Sequence, residues 1–565
     1  MMAPDNLTVA VIWGRLAAIC EEIAEALQHT AFSDQVREGG DYSTAVFDID
    51  ARLLAQANRS PAHLGAMPGV VKHMLKYYPP ETLKARDLII MNDPYIGSGH
   101  LPDVFAMSPV FATEVLVGFV CCSVHVTDIG GSTPGSQGVV GVTDLMQEGL
   151  LMLPTLLYRG GEANKEVLRL IESNVRVPEL VLGDISAQRA ALHVGALKMG
   201  ELYEKHGQEL VSAAAEIFID RSEQAVRAEL AAIPNGSYSF EEYLDDMGPG
   251  TDPVLMAVTV TIEDDSITYD FSGSAKQVAA SINSTLTYTA AYCYWATKAI
   301  TTGDSIPQNE GQLRPITVTA TPGTFFNPTR PAPVGGRALL NQRIVELIFG
   351  ALGPAFPERV SAGSGQWVNP IFGGTDPETG RRFIFYDYAT SGVGARLTKD
   401  GIDSVSPIVS VENIPIEAQE AKNPILVERF ELVTDSGGAG RTRGGLAVRK
   451  DIRMLVDNVN LSNLTDRHRF PVYGLDGGMS GTLGTTILNP DTEVEEKLQS
   501  KGNYTLRKND VVSFICSGSG GFGSPLERNR DLVYEDIREG KVSVEAAREF
   551  YKVEVNEEQK GKGNE

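Results

Sequence analysis

Asn92-Asp93-Pro94-Tyr95-Ile96-Gly97-Ser98-Gly99-His100-Leu101-Pro102-Asp103, followed by Ser123-Val124-His125-Val126-Thr127-Asp128-Ile129-Gly130-Gly131, decides how this chain is read. Each stretch follows an apolar run, Leu88–Met91 before the first and Val115–Val126 around the second, so each marks a strand giving way to a glycine-rich loop. Only eight histidines occur in 565 residues, yet two of them stand 25 positions apart beside Asp and Gly. Two imidazoles and a carboxylate suffice for a catalytic divalent metal with an open position. His100, Asp103 and His125 are therefore candidate metal ligands. Imidazole with carboxylate suits Zn²⁺ first and Mn²⁺ second. Asp41, Asp93 and Asp128 sit in similar turns and are candidates for a fourth ligand or for orienting the imidazoles. A His-x-x-Asp pair alone is weak, and hydrogen-bonded loop anchors would read the same way.

Working outward, residues 7–29 predict an amphipathic helix with a stripe of Val11, Leu16, Ile19, Ile23 and Leu27. Short strands are expected at 45–48 and 53–55, joined through Asp48-Ile49-Asp50. Residues 181–233 read as mostly helical and stop at Pro234-Asn235-Gly236. Beyond that point Leu255–Ile262 and Ile267–Phe271 predict a hairpin. Helices are expected over 281–301 and 338–352, then β-rich sequence to about 523, a helix at Val542–Tyr551 and a charged, disordered tail from Glu557. The expectation is a mixed α and β (α+β), multi-lobed fold. A helix-rich N-terminal lobe (1–235) carries the metal-bearing strands, a β-rich lobe spans 236–553, and a tail covers 554–565.

The charge balance, 49 basic against 73 acidic residues for a net −24, argues against nucleic acid or an anionic membrane as partner. The N-terminus has no basic-then-apolar leader and no run is long enough to span a bilayer, which predicts a cytoplasmic protein. Five sparse cysteines in apolar runs predict buried thiols; the adjacent Cys121 and Cys122 would face opposite sides of a strand. Gly518-Ser519-Gly520-Gly521-Phe522-Gly523 fits GxGxxG, but Pro525 follows at once, so a tight loop is expected and not a dinucleotide site. No phosphate-binding GxxxxGK[ST] and no complete nucleophile elbow occur. Asp435–Gly445 holds Arg441 and Arg443 among glycines, either an anion site or a turn with surface arginines.

NDPYIGSGHLPD, SVHVTDIGG, Asn174–Gln188 (NVRVPELVLGDISAQ), DSGGAGRTRGG, GSGGFGSPLE and Gly540–Ala547 (GKVSVEAA) together resemble the hydantoinase B/oxoprolinase family, in order over residues 5–553. The resemblance implies the beta subunit of an ATP-dependent enzyme opening a small cyclic amide: a hydantoin, 5-oxoproline or a lactam. ATP and Mg²⁺ would be bound by a hydantoinase A-type ATPase partner in a hetero-oligomer such as α2β2. It implies that His100, Asp103 and His125 hold a divalent metal, with Asp41 as fourth ligand. A water acidified by that metal would attack a carbonyl activated by phosphorylation, with Asp128, or Asp41 if it is not a ligand, as general base. The alternatives are a subunit of an ATP-dependent ketone carboxylase of the acetone or acetophenone type, or a non-enzymatic scaffold. Ser98-Gly99 and Cys516-Ser517 depart from the family's usual Gly-Thr and Thr-Pro, changes that touch loop shape and not ligands.

Overall fold

The computed structural model describes residues 4–405, 408 and 411–555. Its first unit is an antiparallel sheet of β1 (Tyr42–Asp48), β2 (Leu53–Gln56), β3 (Leu88–Met91), β4 (Asp103–Ala112), β5 (Val115–His125), β6 (Thr155–Arg159) and β7 (Glu162–Ala163), in the order β2-β1-β5-β4-β3-β6-β7. Its central strands are buried on both faces, which is why they read as apolar runs and not as alternating ones. One face packs against the helices Asn6–Thr30 and Pro178–His206, the other against the helix Pro61–Tyr77. Cys121 and Cys122 fall in the two different cores, on opposite faces as the strand period requires.

The N-terminal helix starts where the Asp5 side chain caps Thr8 N at 2.7 Å. Its buried stripe is Val9, Ile12, Leu16, Ile19, Ile23 and Leu27; Val11, expected in that stripe, is exposed. The stripe simply begins one turn edge earlier, at Val9 and Ile12. A second sheet, β8 (Gly236–Leu244), β9 (Val254–Glu263), β10 (Ser266–Asp270) and β11 (Ile316–Thr319), contains the expected hairpin, turning at Asp264-Asp265 with Asp264 at φ 54°. Helices Leu286–Ile300 and Leu340–Leu352 follow. Two further sheets, of four and five strands, make the later part β-rich and complete a mixed α and β architecture.

The largest buried cluster draws residues from Val9 to Leu464, so the helix-rich and β-rich parts share one core across residue 235. The glycine clusters at 437–445, 474–484 and 518–523 pack backbone on backbone. A Cβ on Gly520 would stand 1.9 Å from the Tyr473 carbonyl oxygen, and one on Gly444 2.2 Å from that of Ser519. Arg443 is buried against Asp536 and Asp403, and Arg441 faces Glu527, so both guanidinium groups already meet carboxylates. The C-terminal helix is Val544–Phe550, preceded by a helix at Arg530–Arg538 that periodicity did not reveal. Of the expected tail, 556–565 lie outside the described residues, while Val555 is buried.

Candidate metal centre

Strand register brings the site together. In the β4–β5 pair Asp103 stands directly opposite His125, at the first position of one strand and the last of the other. Side chains opposite one another in an antiparallel pair are about 5 Å apart at Cβ. On the other side of β5, the His125 N–H donates to the Asp41 carbonyl at 3.1 Å, just before β1. His100 enters from the turn preceding Asp103. Gly99 makes that turn possible: its φ is 86°, and a Cβ there would meet Tyr288 Cβ at 3.0 Å.

His100 Nε2 lies 2.8 Å from Asp103 Oδ1, His125 Nδ1 2.9 Å from the same oxygen, and the two nitrogens 3.2 Å apart. All three side chains are buried. Donors at Zn–N and Zn–O distances of about 2.0–2.1 Å around a tetrahedral ion are spaced about 3.3 Å from one another. The triangle is close to that spacing, and its members are the ligand types such an ion takes, so the residues fit a divalent metal. Burial, reinforced by the Arg337 guanidinium, holds the His100 pKa down to about 3, which leaves its ring neutral and able to coordinate. Burial would push the Asp103 carboxyl up. The imidazoles of His100 and His63 and the charge of Arg337 outweigh it and hold Asp103 well below the usual carboxylate range.

The second oxygen of Asp103 is tied. It accepts from Ser98 Oγ and, at 2.6 Å, from Arg337 Nη2, and lies 3.1 Å from His63 Nε2. Neither His63 nor Arg337 was singled out from sequence. His63 stands at the start of the helix Pro61–Tyr77, whose Gly65, Pro68 and Gly69 hide its periodicity. Arg337 arrives from 234 residues away, and no local pattern marks it. His100 Nδ1 is 3.2 Å from the Gly335 carbonyl, and His125 Nε2 3.0 Å from Gln137 Nε2.

The three aspartates expected nearby behave differently. Asp41 lines the same cavity, with Oδ1 4.0 Å from His63 Nε2 and Oδ2 accepting from Tyr388 at 3.4 Å, but it stands outside the triangle of donors. Asp128 does not line the cavity. Its carboxylate accepts from the backbone N–H groups of Gly130, Gly135 and Arg176 and from the Arg176 guanidinium, which makes it the anchor of the 128–135 loop. Asp93 pairs with Arg330 and accepts from Tyr95 N, also away from the triangle.

The cavity at the triangle is about 20 Å³, room for about one water. Through Val411 it adjoins a chamber of about 440 Å³ lined by Gly40, Tyr42, Asn58, Arg59 and Asn413. That volume is within the roughly 300–1,000 Å³ usual for small-molecule sites.

Glu148 braces the wall. Its Oε1 accepts from Ser281 Oγ, Val334 N and Gly335 N at 2.6, 2.5 and 2.7 Å, while Oε2 is buried without a partner. Burial raises its pKa to about 7 against these hydrogen bonds. An acid with a raised folded-state pKa stabilises the fold most below its unfolded value, about 4.3, and that contribution is lost as pH rises through about 7. Glu148→Gln, which keeps the acceptor, is therefore expected to raise stability at pH 8 by about 3 kcal/mol and to flatten the decline between pH 5 and 8. Denaturant melts of both proteins across that range check this; parallel curves would refute it.

The family model for hydantoinase B/oxoprolinase matches residues 5–525. An uncharacterized protein of Methanocaldococcus jannaschii is 36% identical over 98% of this chain and 96% of its own length. The caprolactamase subunit beta of Pseudomonas jessenii is 30% identical over 98% of this chain and 97% of its own. The crystal structure of the ATP-dependent caprolactamase from the same organism superposes with a TM-score of 0.91 at 29% identity, over 98% of this chain and 97% of that one. Among the described residues no helix is long and apolar enough to cross a membrane. With the family model covering nearly the whole chain and the fold agreeing end to end, this chain belongs to the hydantoinase B/oxoprolinase family.

Proposed function

We propose that this chain is the metal-containing subunit of an ATP-dependent amidohydrolase that opens a small cyclic amide, working with an ATPase subunit that binds ATP and Mg²⁺. The observation that carries this reading is the triangle of His100 Nε2, Asp103 Oδ1 and His125 Nδ1, no side longer than 3.2 Å, in a cavity that shares Val411 with a small-molecule-sized chamber. The names of the relatives support the reaction class. Those three atoms would hold the divalent ion, Zn²⁺ or Mn²⁺, which when bound supplies Lewis acidity and lowers the pKa of a water.

The chain's own residues do the rest. The narrow inner cavity admits one water and excludes others, while the ring occupies the chamber beyond Val411. Asp103 contributes one oxygen to the triangle because Arg337, Ser98 and His63 occupy the other. Asp41, which lines the same cavity with its Oδ1 4.0 Å from His63 Nε2, takes the proton of the attacking water. The base is thus Asp41 and not Asp128, whose lone pairs are already engaged in its loop. After ATP in the partner phosphorylates the amide oxygen and leaves as ADP, water adds to the amide carbon. The C–N bond breaks as the ring nitrogen takes up a proton and leaves as an amine, and a second water hydrolyses the resulting acyl phosphate to the carboxylate and inorganic phosphate.

The test is to purify the chain with an ATPase partner, measure its metal, and offer hydantoin, 5-oxoproline and larger lactams with ATP, and separately a ketone with bicarbonate and ATP. One divalent ion per chain and ATP-dependent ring opening are expected. Carboxylation of the ketone without ring opening would overturn the proposal.

A further inference from the structure

We propose that Gln137 is the positioning residue that decides which nitrogen of His125 is free for the ion, by turning its side-chain amide from donor to acceptor. The inference rests on the metal-centred reading above and concerns how the chain's own residues make ready for the ion. A ring nitrogen that carries a proton has no lone pair for a metal. Each histidine of the triangle must therefore keep its proton on the nitrogen that points away.

The two histidines are prepared differently. His100 presents Nε2 to the triangle, and its Nδ1 lies 3.2 Å from the Gly335 carbonyl. A carbonyl only accepts, so His100 carries its proton on Nδ1 and keeps Nε2 open with or without an ion. His125 presents Nδ1 to the triangle, and its Nε2 lies 3.0 Å from Gln137 Nε2. An amide nitrogen only donates, so this arrangement makes His125 Nε2 the acceptor and leaves the proton on Nδ1. There the proton points at Asp103 Oδ1, 2.9 Å away, with His100 Nε2 at 3.2 Å. One proton thus lies among the three atoms that would hold the ion.

An ion entering the triangle displaces that proton, and His125 must then carry one on Nε2. The new Nε2–H needs an acceptor. The Gln137 amide supplies it with half a turn, which puts its oxygen where its nitrogen stood. The turn passes on to Asn369, whose Nδ2 donates to Gln137 Oε1 at 3.3 Å in the ion-free arrangement. With Gln137 turned, the Asn369 oxygen takes that place and accepts from Gln137. No bond at the far end opposes the second turn, because Asn369 Oδ1 is buried with no hydrogen-bond partner. The backbone on both sides is held independently. Ser136 Oγ accepts from Ile129 N at 2.9 Å and donates to the Gly130 carbonyl at 2.7 Å, and Asn369 N donates to the Leu464 carbonyl at 3.0 Å. The ring gains at Nε2 the proton it gives up at Nδ1, so the exchange takes one proton from water and returns one. A glutamate at 137 would only accept and a methionine would do neither; glutamine serves both states.

The test reads the tautomers directly. Nitrogen-15 spectra of the histidine-labelled full chain are recorded without metal and with Zn²⁺, for the wild type, Gln137→Glu and Gln137→Met, with the His125 signals assigned by their loss in His125→Ala. In the wild type, His125 is expected to carry its proton on Nδ1 without metal and on Nε2 with it, while His100 keeps its proton on Nδ1 in both. In Gln137→Glu the proton is expected on His125 Nε2 before any metal is added. Gln137→Met keeps the volume and removes both functions, so Zn²⁺ affinity measured by chelator competition is expected to fall about 10–100-fold. A proton on His125 Nε2 in the metal-free wild type, no change of tautomer on loading, or an affinity in Gln137→Met within about twofold of the wild type would overturn the role of Gln137. A wild type that binds no divalent ion would instead overturn the metal-centred reading on which it rests.

Discussion

Replacing His100 by alanine is expected to lower ATP-dependent ring opening by about 10³-fold or more, to strip the divalent ion from the purified chain, and to leave the partner's ATP hydrolysis measurable. The size follows from geometry. His100 Nε2 and His125 Nδ1 both face Asp103 Oδ1, and removing one nitrogen leaves two donors where three are needed to hold an ion with an open position. His125→Ala should behave alike. Asp128→Asn supplies the contrast: its carboxylate accepts four N–H donors from the 128–135 loop and Arg176, so the substitution should lower stability while the folded fraction keeps its ion. Elemental analysis and coupled ring-opening assays of the three variants decide the matter. A folded His100→Ala protein that still opens the ring at the wild-type rate would end the metal-centred reading.

That contrast marks where sequence was legible. The triangle could be read because its members, two on adjacent strands and one in the turn leading into β4, are close in the chain: apolar runs announced β3 and β5, and glycine-rich loops announced their ends. The N-terminal helix, the β9–β10 hairpin and the helix Leu340–Leu352 were readable for the same local reason, a pattern interrupted by no proline and by at most one glycine. The helix Pro61–Tyr77 was not, because Gly65, Pro68 and Gly69 fall inside it, and His63 was lost with it. The roles of the aspartates were illegible for another reason. Asp41, Asp93 and Asp128 all stand in polar turns, and only the long-range partners Tyr388, Arg330 and Arg176 separate the one that lines the cavity from the two that anchor loops. Pro234-Asn235-Gly236, where the first lobe is expected to end, is a true helix stop; a local stop carries no information on whether the core continues past it, and here it does.

Arg337→Met is expected to destabilise the fold by about 3–5 kcal/mol, because it leaves Asp103 as a buried carboxylate without its main countercharge. The guanidinium reaches three partners at once: Ser98 O at 2.7 Å, Asp103 Oδ2 at 2.6 Å and Tyr288 Oη at 3.3 Å, with its carbon 4.2 Å over the Tyr288 ring. No lysine can reproduce that fork, so Arg337→Lys should recover only part of the loss. The pH dependence gives a sharper check. A carboxyl held low in the folded state contributes stability above its unfolded value, about 3.9, and loses it as pH falls through the folded one. In the wild type Asp103 is held well below that range, so its contribution persists far into acid. Without Arg337 the carboxyl rises toward its ordinary value, and acid unfolding should set in at higher pH. Denaturation at neutral pH, acid titration of the folded signal and the divalent-ion affinity, expected to fall about 10–100-fold because Asp103 is no longer oriented, read the same cause three ways. An Arg337→Met protein as stable as the wild type, with the same acid midpoint and ion affinity, would show that the imidazoles of His63, His100 and His125 alone suffice to keep Asp103 ionised and in place.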